Sequence, residues 1–379
     1  AYRLGRDPID FRLQNAVRQG DRVMSGNRVD HEVGLADCLH WVRQESEWDR
    51  KREAYADQNG ELRRGVGVAC YMHGSSLGGE GEDYANCTLG IEQDYSLTLT
   101  SGLTDYGQGS RTVFTLVAAE TLGVDPSRIH MLRPDTDTAI ESGPTVASRS
   151  TMLGGNATRV AAEKLDRLLR YAAATAFGCT PAEVYRYGEL YLGPDEDELP
   201  FEQVVDRARE MGLTLSVQGK WSMPLVEWHV ETGSGTPYYC YTFGAQVAEV
   251  EVDTRTGQVE ILKVWAAHDG GRIVFPQGAY GQLYGGIAQG LGYGLLEEIK
   301  FHQGYLQSLN FDTYMIPTSL DVPEIGATYI ETNFPEGPYG AKNLAEPVLV
   351  ATAPAIANAV FHATGTRHHT LPLTLERVL

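Results

Sequence analysis

The chain has 379 residues, 42% of them hydrophobic and 21% charged, with 42 glycines and a formal net charge of −19. That length lies far above the minimum for a self-sufficient core, predicts roughly two or three domain-sized lobes, and with ordinary globular usage excludes disorder as the default. So much negative charge repels phosphate backbones and anionic headgroups, which sets duplex nucleic acid and membrane surfaces aside as partners.

The first stretch, AYRLGRDPIDFRLQN, lacks the basic-then-apolar order of a signal peptide, and no window reads as an uninterrupted apolar span. The chain therefore reads as cytoplasmic. Residues 1–58 carry a polar helical pattern, with Leu35, Leu39, Trp41, Val42 and Trp48 near helical spacing. They form an N-terminal helical segment rather than a domain. The main region is 59–379, in two lobes of about 59–192 and about 200–379.

In that region RRGVGVACYMHG, IEQDYSLTLTSGL and the stretch near SRIHMLRPD predict strands with Gly at their ends. SRTVFTLVAAETLG predicts a helix stopped by Gly123, and GGNATRVAAEKLDRLLRYAAATAFG a longer one. GPDEDELP, at 193–200, reads as a solvated loop, and FEQVVDRARE as a short helix. GAQVAEVEVDTRTGQVEILKVWAAHDGG predicts a hairpin turning at Thr256-Gly257. In the helix FPQGAYGQLYGGIAQGLGYGLLEEI, Gly281, Gly285, Gly286, Gly290 and Gly292 stand where side chains would be. Each costs about 1 kcal/mol relative to Ala, so another backbone or a ligand is expected against that face. APAIANAVFHATG closes the series, with Pro354 in the first turn and Gly365 as the stop. Irregular alternation of strands and helices predicts an α+β fold.

Four stretches have chemical potential. In SGLTDYGQGSRT a strand runs through a glycine turn into a helix, where unpaired N–H groups and the helix dipole attract an anion; a tight turn explains Gly107 and Gly109 equally. ESGPTVASRSTMLGGNA offers hydroxyls, Ser148, Ser150 and Thr151 among them, to a polar ligand or to helix capping. Gln282, on the glycine-studded helix, is a donor and acceptor in either a packing face or a site. In GPYGAKNLAEPVLV, Glu346 stands before Pro347 and an apolar run, as a surface carboxylate or as a partly desolvated general base. The five cysteines, Cys38, Cys70, Cys87, Cys179 and Cys240, contain no C-x-x-C pair and predict reduced thiols rather than disulfides or a metal cluster.

Taken in order, DYGQGSRT, GPTVASRST, PQGAYGQLYGGIAQGLGYGLLEEI, FDTYMIPTSLDVPEI, GPYGAKNLAEP and APAIANAVFHATG resemble the xanthine dehydrogenase and aldehyde oxidase family. The likeness is to the carboxy-terminal part of its molybdenum-cofactor subunit, from about DPIDFRLQN to LPLTLERVL. It implies a molybdopterin-binding domain of α+β class, with mixed sheets and packed helices. On matching positions, Gly107, Gln108 and Gly109 would contact the molybdopterin, with the helix start near its phosphate. Val146, Ala147, Ser148 and Ser150 would pass close to metal and pterin, Gln282 would hydrogen-bond the cofactor, and Glu346 would be the catalytic base. No side chain would ligate the metal, which the pterin dithiolene holds.

The resemblance further implies Mo-molybdopterin in its cytosine dinucleotide form, with 2Fe-2S and FAD on partner subunits. A large molybdopterin subunit would complete the pocket, as in nicotinate dehydrogenase. The implied activity is hydroxylation of an electron-poor carbon of a nicotinate- or purine-like N-heterocycle with water as oxygen source. Aldehyde oxidation and a non-catalytic, cofactor-holding half-subunit are the alternatives. One departure stands out: the family's G-A-K-G-V-G-E is here Gly340-Ala341-Lys342-Asn343-Leu344-Ala345-Glu346, with a Cβ at position 345 where Gly is usual.

Overall fold

The computed structural model describes residues 1–379, except the side chain of Glu80. In chain order its principal strands are β1 (Leu62–Gly74), β2 (Tyr84–Ile91), β3 (Leu97–Ser101), β4 (Ile129–Met131), β5 (Ser216–Ser222), β6 (Tyr241–Asp253), β7 (Val259–Asp269) and β8 (Glu324–Ile330). The helices are α1 (Pro8–Asn15), α2 (Leu35–Glu45), α3 (Trp48–Ala54), α4 (Ser110–Leu122), α5 (Gly155–Phe177), α6 (Phe201–Glu210), α7 (Pro276–Leu295), α8 (Glu346–Leu349) and α9 (Thr352–Thr364). The elements form two units that do not follow chain order: unit 1 comprises 1–74, 228–334 and 344–379, and unit 2 comprises 75–227 and 335–343. The lobes expected from the sequence divide the chain elsewhere, because pairing of β1 with β6 draws residues before 75 to residues after 228.

Unit 1 is built on a sheet of order β1-β6-β7-β8, antiparallel except for the parallel β7–β8 pair. Side chains alternate across a strand with period two, and here both faces are apolar. Val66, Val68, Phe243, Ala245, Val247 and Trp265 pack on one face with Leu35, Leu39, Val42 and Trp48 of α2 and α3. Ala69, Val250, Val252, Val264 and Ala266 pack on the other with Leu283, Ile287, Ala355, Ile356 and Ala359 of α7 and α9. The N-terminal helical segment is thus one wall of this core.

Gly65 and Gly67, inside β1 rather than at its ends, admit α9. A Cβ on Gly65 would lie 2.1 Å from the Ala359 carbonyl oxygen, and one on Gly67 2.1 Å from the Ala359 nitrogen. By length and composition Glu346–Thr364 is apolar enough to cross a membrane, contrary to the sequence reading, and 56% of that window is buried. Its burial here is the α9 contact with β1.

Unit 2 holds a sheet of order β4-β3-β2-β5, with β3–β4 parallel and the other pairs antiparallel. α5 lies on β5 by the same device, since a Cβ on Gly219 would sit 2.1 Å from the Ala157 carbonyl oxygen. GPDEDELP, expected as a loop, is an exposed turn at 193–197 that runs into Glu198–Pro200, an edge strand of a small three-stranded antiparallel sheet with Tyr185–Tyr187 and Leu190–Leu192. The segment 335–343 returns to this unit: Asn156 Nδ2 donates to the Glu336 carbonyl at 2.7 Å, and the Tyr339 hydroxyl lies 2.7 Å from Thr121 Oγ1.

On α9, His362 Nδ1 accepts the Val66 amide at 3.0 Å. Burial, assisted by the Arg52 charge, pushes its pKa down to about 4. The unfolded chain takes up a proton near pH 6.5 that the folded chain refuses, so stability is lost as pH falls from about 6.5 toward 4 and is untouched above that window. We expect a loss on the order of 2 kcal/mol, allowing for partial exposure. Urea unfolding at about pH 7.5 and about pH 5 measures it, and His362→Gln should flatten the difference.

Candidate functional site

In unit 2 the glycine turn after β3 needs its glycines: Gly107 and Gly109 have φ of 116° and 86°. Three of the N–H groups expected to await an anion are taken. The Asp105 carboxylate accepts from the amides of Gly107 at 2.9 Å, Gly109 at 3.4 Å and Arg111 at 2.9 Å. Burial pushes the Asp105 carboxyl up, but these amides and the Arg111 charge hold it below its ordinary range. Gln108 also serves the turn: its Oε1 accepts the Tyr106 amide at 2.8 Å, and its Nε2 donates to the Thr104 carbonyl at 2.9 Å. Beside Gly107 the space is open, as an added Cβ would meet nothing within 4 Å.

The hydroxyl-rich segment is joined to this turn. Thr145 Oγ1 accepts the Thr104 amide at 2.8 Å, and the Tyr106 hydroxyl donates to the Thr145 carbonyl at 3.2 Å. Next to the exposed Val146, Ala147 and Ser148 hold φ of 52° and 50°, a left-handed pair without glycine. Such backbone costs about 1–3 kcal/mol per residue and persists only where neighbours impose it. Ser76, itself at φ 71°, donates its amide to the Ala147 carbonyl at 3.2 Å. Ser150 opens a π-helical turn, Ser150–Gly154, that leads into α5, and its N-cap position is Arg149, whose side chain makes no capping bond.

Arg149 fixes the segment from below. It is 1% exposed, with Nε on Asp83 Oδ1 at 2.7 Å and Nη1 on the carbonyls of Ser142 and Pro144, each at 2.8 Å; Nη2 donates to the Tyr84 carbonyl. Asp83 Oδ2 accepts the Leu77 amide at 2.8 Å, which extends the clamp toward Ser76. Asn343 Nδ2 donates to Ser76 Oγ at 3.4 Å. Ser75 Oγ and Asn343 Oδ1 are buried without a hydrogen-bond partner among the described residues. Buried unpaired oxygens beside a strained backbone pair fit a polar ligand. The molybdopterin implied by the sequence, rich in donors and acceptors, is chemically suited to this set, whereas its phosphate is not suited to the Asp105-filled turn.

In unit 1 the glycines of α7 have different neighbours, Gly292 meeting Glu297 and Pro317. A Cβ on Gly286 would lie 3.0 Å from Val348 Cβ and 3.5 Å from the Ala345 carbonyl oxygen, and one on Gly290 would lie 2.4 Å from Thr352 Cβ. These admit α8 and α9, as expected. Gly281 and Gly285 face open space instead. Gln282, half-buried, stands one turn before Gly286, so the unit brings its helix against the Glu346 segment.

Ala345 has φ 116° and ψ −90°, a conformation suited to glycine, so the Cβ that marks the departure at this position is carried under strain. Glu346 begins α8 and is exposed; partial desolvation of its carboxylate is not supplied within this chain. Near it, burial pushes the His73 imidazole down while the Glu346 charge pulls it up. His73 Nδ1 has no hydrogen-bond partner among the described residues.

Sequence reasoning missed Asp105, Ser75, Asp83 and Arg149. Asp two residues before the turn glycine was a legible Asx-turn signal. Asp83 and Arg149, 66 residues apart, carried none.

The molybdopterin cofactor-binding domain family matches residues 41–323. The chain belongs to this family, that of the molybdenum-binding subunits of xanthine dehydrogenases and aldehyde oxidases. It is 34% identical over 383 residues to the xanthine dehydrogenase molybdenum-binding subunit of Escherichia coli O157:H7, covering 100% of this chain and 50% of that protein. With the aldehyde oxidoreductase of Megalodesulfovibrio gigas the figures are 30% over 386 residues, 100% and 39%. The solved aldehyde oxidoreductase of Desulfovibrio desulfuricans ATCC 27774 aligns with a TM-score of 0.84 at 30% identity, over 100% of this chain and 38% of that one. The chain thus spans half or less of the length of these relatives.

Removing one partner of a buried, hydrogen-bonded ion pair strands the other, so Arg149→Met should cost about 3–5 kcal/mol in chemical denaturation, with much of that recovered when Asp83→Leu is added. Ala345→Gly should stabilise by about 1 kcal/mol, the relieved strain less the entropy of glycine, read from the same curves.

Proposed function

We propose that this chain is the cofactor-holding part of a cytoplasmic, multi-subunit hydroxylase that inserts oxygen from water at an electron-poor carbon of a nitrogen heterocycle, nicotinate- or purine-like. When bound, Mo-molybdopterin, in its cytosine dinucleotide form, supplies the oxygen-transfer and electron-accepting chemistry. Unit 2 contributes the backbone of Gly107, Gln108 and Gly109, and the segment Val146, Ala147, Ser148 and Ser150, as its polar lining. The observation that carries this is the pair of buried, unpartnered oxygens, Ser75 Oγ and Asn343 Oδ1, beside left-handed Ala147 and Ser148.

Gln282 is assigned as a hydrogen-bonding amide and Glu346 as the general base. In that role the carboxylate would take the proton from the attacking water-derived oxygen. The strained Ala345 peptide and the rigid start of α8 restrict where that carboxylate points. The cysteines, which form no disulfide among the described residues and of which Cys38, Cys87 and Cys240 are buried, favour placing 2Fe-2S and FAD on partner subunits. A large molybdopterin subunit that completes the pocket is a further proposed partner, as the resemblance to nicotinate dehydrogenase implies.

The likeness to a xanthine dehydrogenase subunit leans toward a purine-like substrate. Full-chain likeness to two aldehyde oxidoreductases supports aldehyde oxidation as the second reading. Turnover of the assembled enzyme with a purine, nicotinate and an aldehyde separates them. Glu346→Gln should lower turnover by about 10²–10⁴-fold with molybdenum content unchanged; a loss below about tenfold would remove Glu346 from the role of base, and active enzyme without molybdenum would remove the cofactor.

A further inference from the structure

A buried amide in the middle of β6 controls the segment that carries Glu346. Gln246 is 1% exposed and stands between Ala245 and Val247, where an unpaired amide would be costly. Its cross-strand neighbours are both alanines, Ala69 on β1 and Ala266 on β7, which leaves room for the long side chain on the α7–α9 face. There Nε2 donates to the Val348 carbonyl at 2.6 Å and Oε1 accepts from Thr352 Oγ1 at 2.7 Å.

Those two partners lie on either side of the junction between α8 and α9. Val348 belongs to the last turn of a four-residue helix, where carbonyls have no helical donor, and Thr352 is the first residue of α9. One amide therefore closes the α8–α9 junction. The Val348 N–H at the same time donates to the Ala345 carbonyl at 3.1 Å. The peptide between these bonds is tied to the strained Ala345 on one side and to the sheet on the other. Strain of that kind needs surroundings that impose it. Glu346 lies inside this tied segment, two residues before Val348.

We infer that Gln246 is a positioning residue for Glu346: through the Val348 carbonyl and Thr352 it fixes the direction of a carboxylate it does not touch. The inference rests on Glu346 being the base. A displacement of about 1 Å at a reacting group can cost on the order of 10²-fold in rate, so the effect belongs in kcat.

The test uses the assembled, molybdenum-loaded enzyme. Gln246→Leu, similar in size but without either bond, should lower kcat by about 10–100-fold with KM within about twofold and molybdenum content unchanged. Amide hydrogen exchange over residues 346–352 should quicken. Thr352→Val should shift kcat in the same direction and Thr352→Ser should restore it, a pairing that general loss of stability would not produce. Should Gln246→Leu not assemble, the Thr352 pair carries the test alone. Wild-type kcat in Gln246→Leu or Thr352→Val, alongside an inactive Glu346→Gln, overturns the inference. Full activity in Glu346→Gln would instead overturn the assignment of the base.

Discussion

Helix α9 rests on the bare backbone of β1 at Gly65 and Gly67, and the arrangement of unit 1 follows from that contact. With no Cβ in the way, Ala355, Ala359 and Ala363 approach the strand closely enough to exclude water along the helix. Once α9 is fixed, its first residue, Thr352, is fixed against Gly290 of α7, and the short helix before it has little freedom left. The backbone that carries Glu346 is held by a chain of packing that begins more than two helical turns away. Unit 2 repeats the device where α5 lies on Gly219.

Against this rigid packing, three of the residues held at positive φ stand where chemistry is proposed. Ala147, Ser148 and Ala345 all occupy conformations that glycine would hold more easily, and each sits beside a residue assigned a role. The supports differ in kind. In unit 2 a buried guanidinium ties together carbonyls of 84, 142 and 144 and a carboxylate; in unit 1 a neutral amide does comparable work. A charged clamp resists loosening but suffers badly if either partner is lost, while the amide is insensitive to pH.

Much of the fold was legible because it rests on local pattern. The hairpin turning near Gly257, the long helix ending at Gly178, and the helix stops at Gly123 and Gly365 all appear where turn chemistry and periodicity put them. β2 and β5 were not assigned from sequence, since they pair with each other across more than a hundred residues and β5 has no nearby partner strand in its sheet. The division into units was hidden for the same reason. At the site, glycines and the exposed Glu346 announced themselves by type and spacing, whereas Arg149, Asp83 and Gln246 work through contacts that no local spacing encodes. Ala345 was the exception, a departure visible in sequence whose cost the backbone angles explain.

The Asp105 carboxylate seated in the glycine turn gives that turn a completed shape before any ligand arrives. Because its amides are already bound to an internal oxyanion, the loop forgoes the phosphate grip that similar glycine turns offer. What the loop presents outward is a preformed ledge of backbone beside Gly107, so a ligand meeting it need not freeze the loop's motion in order to bind.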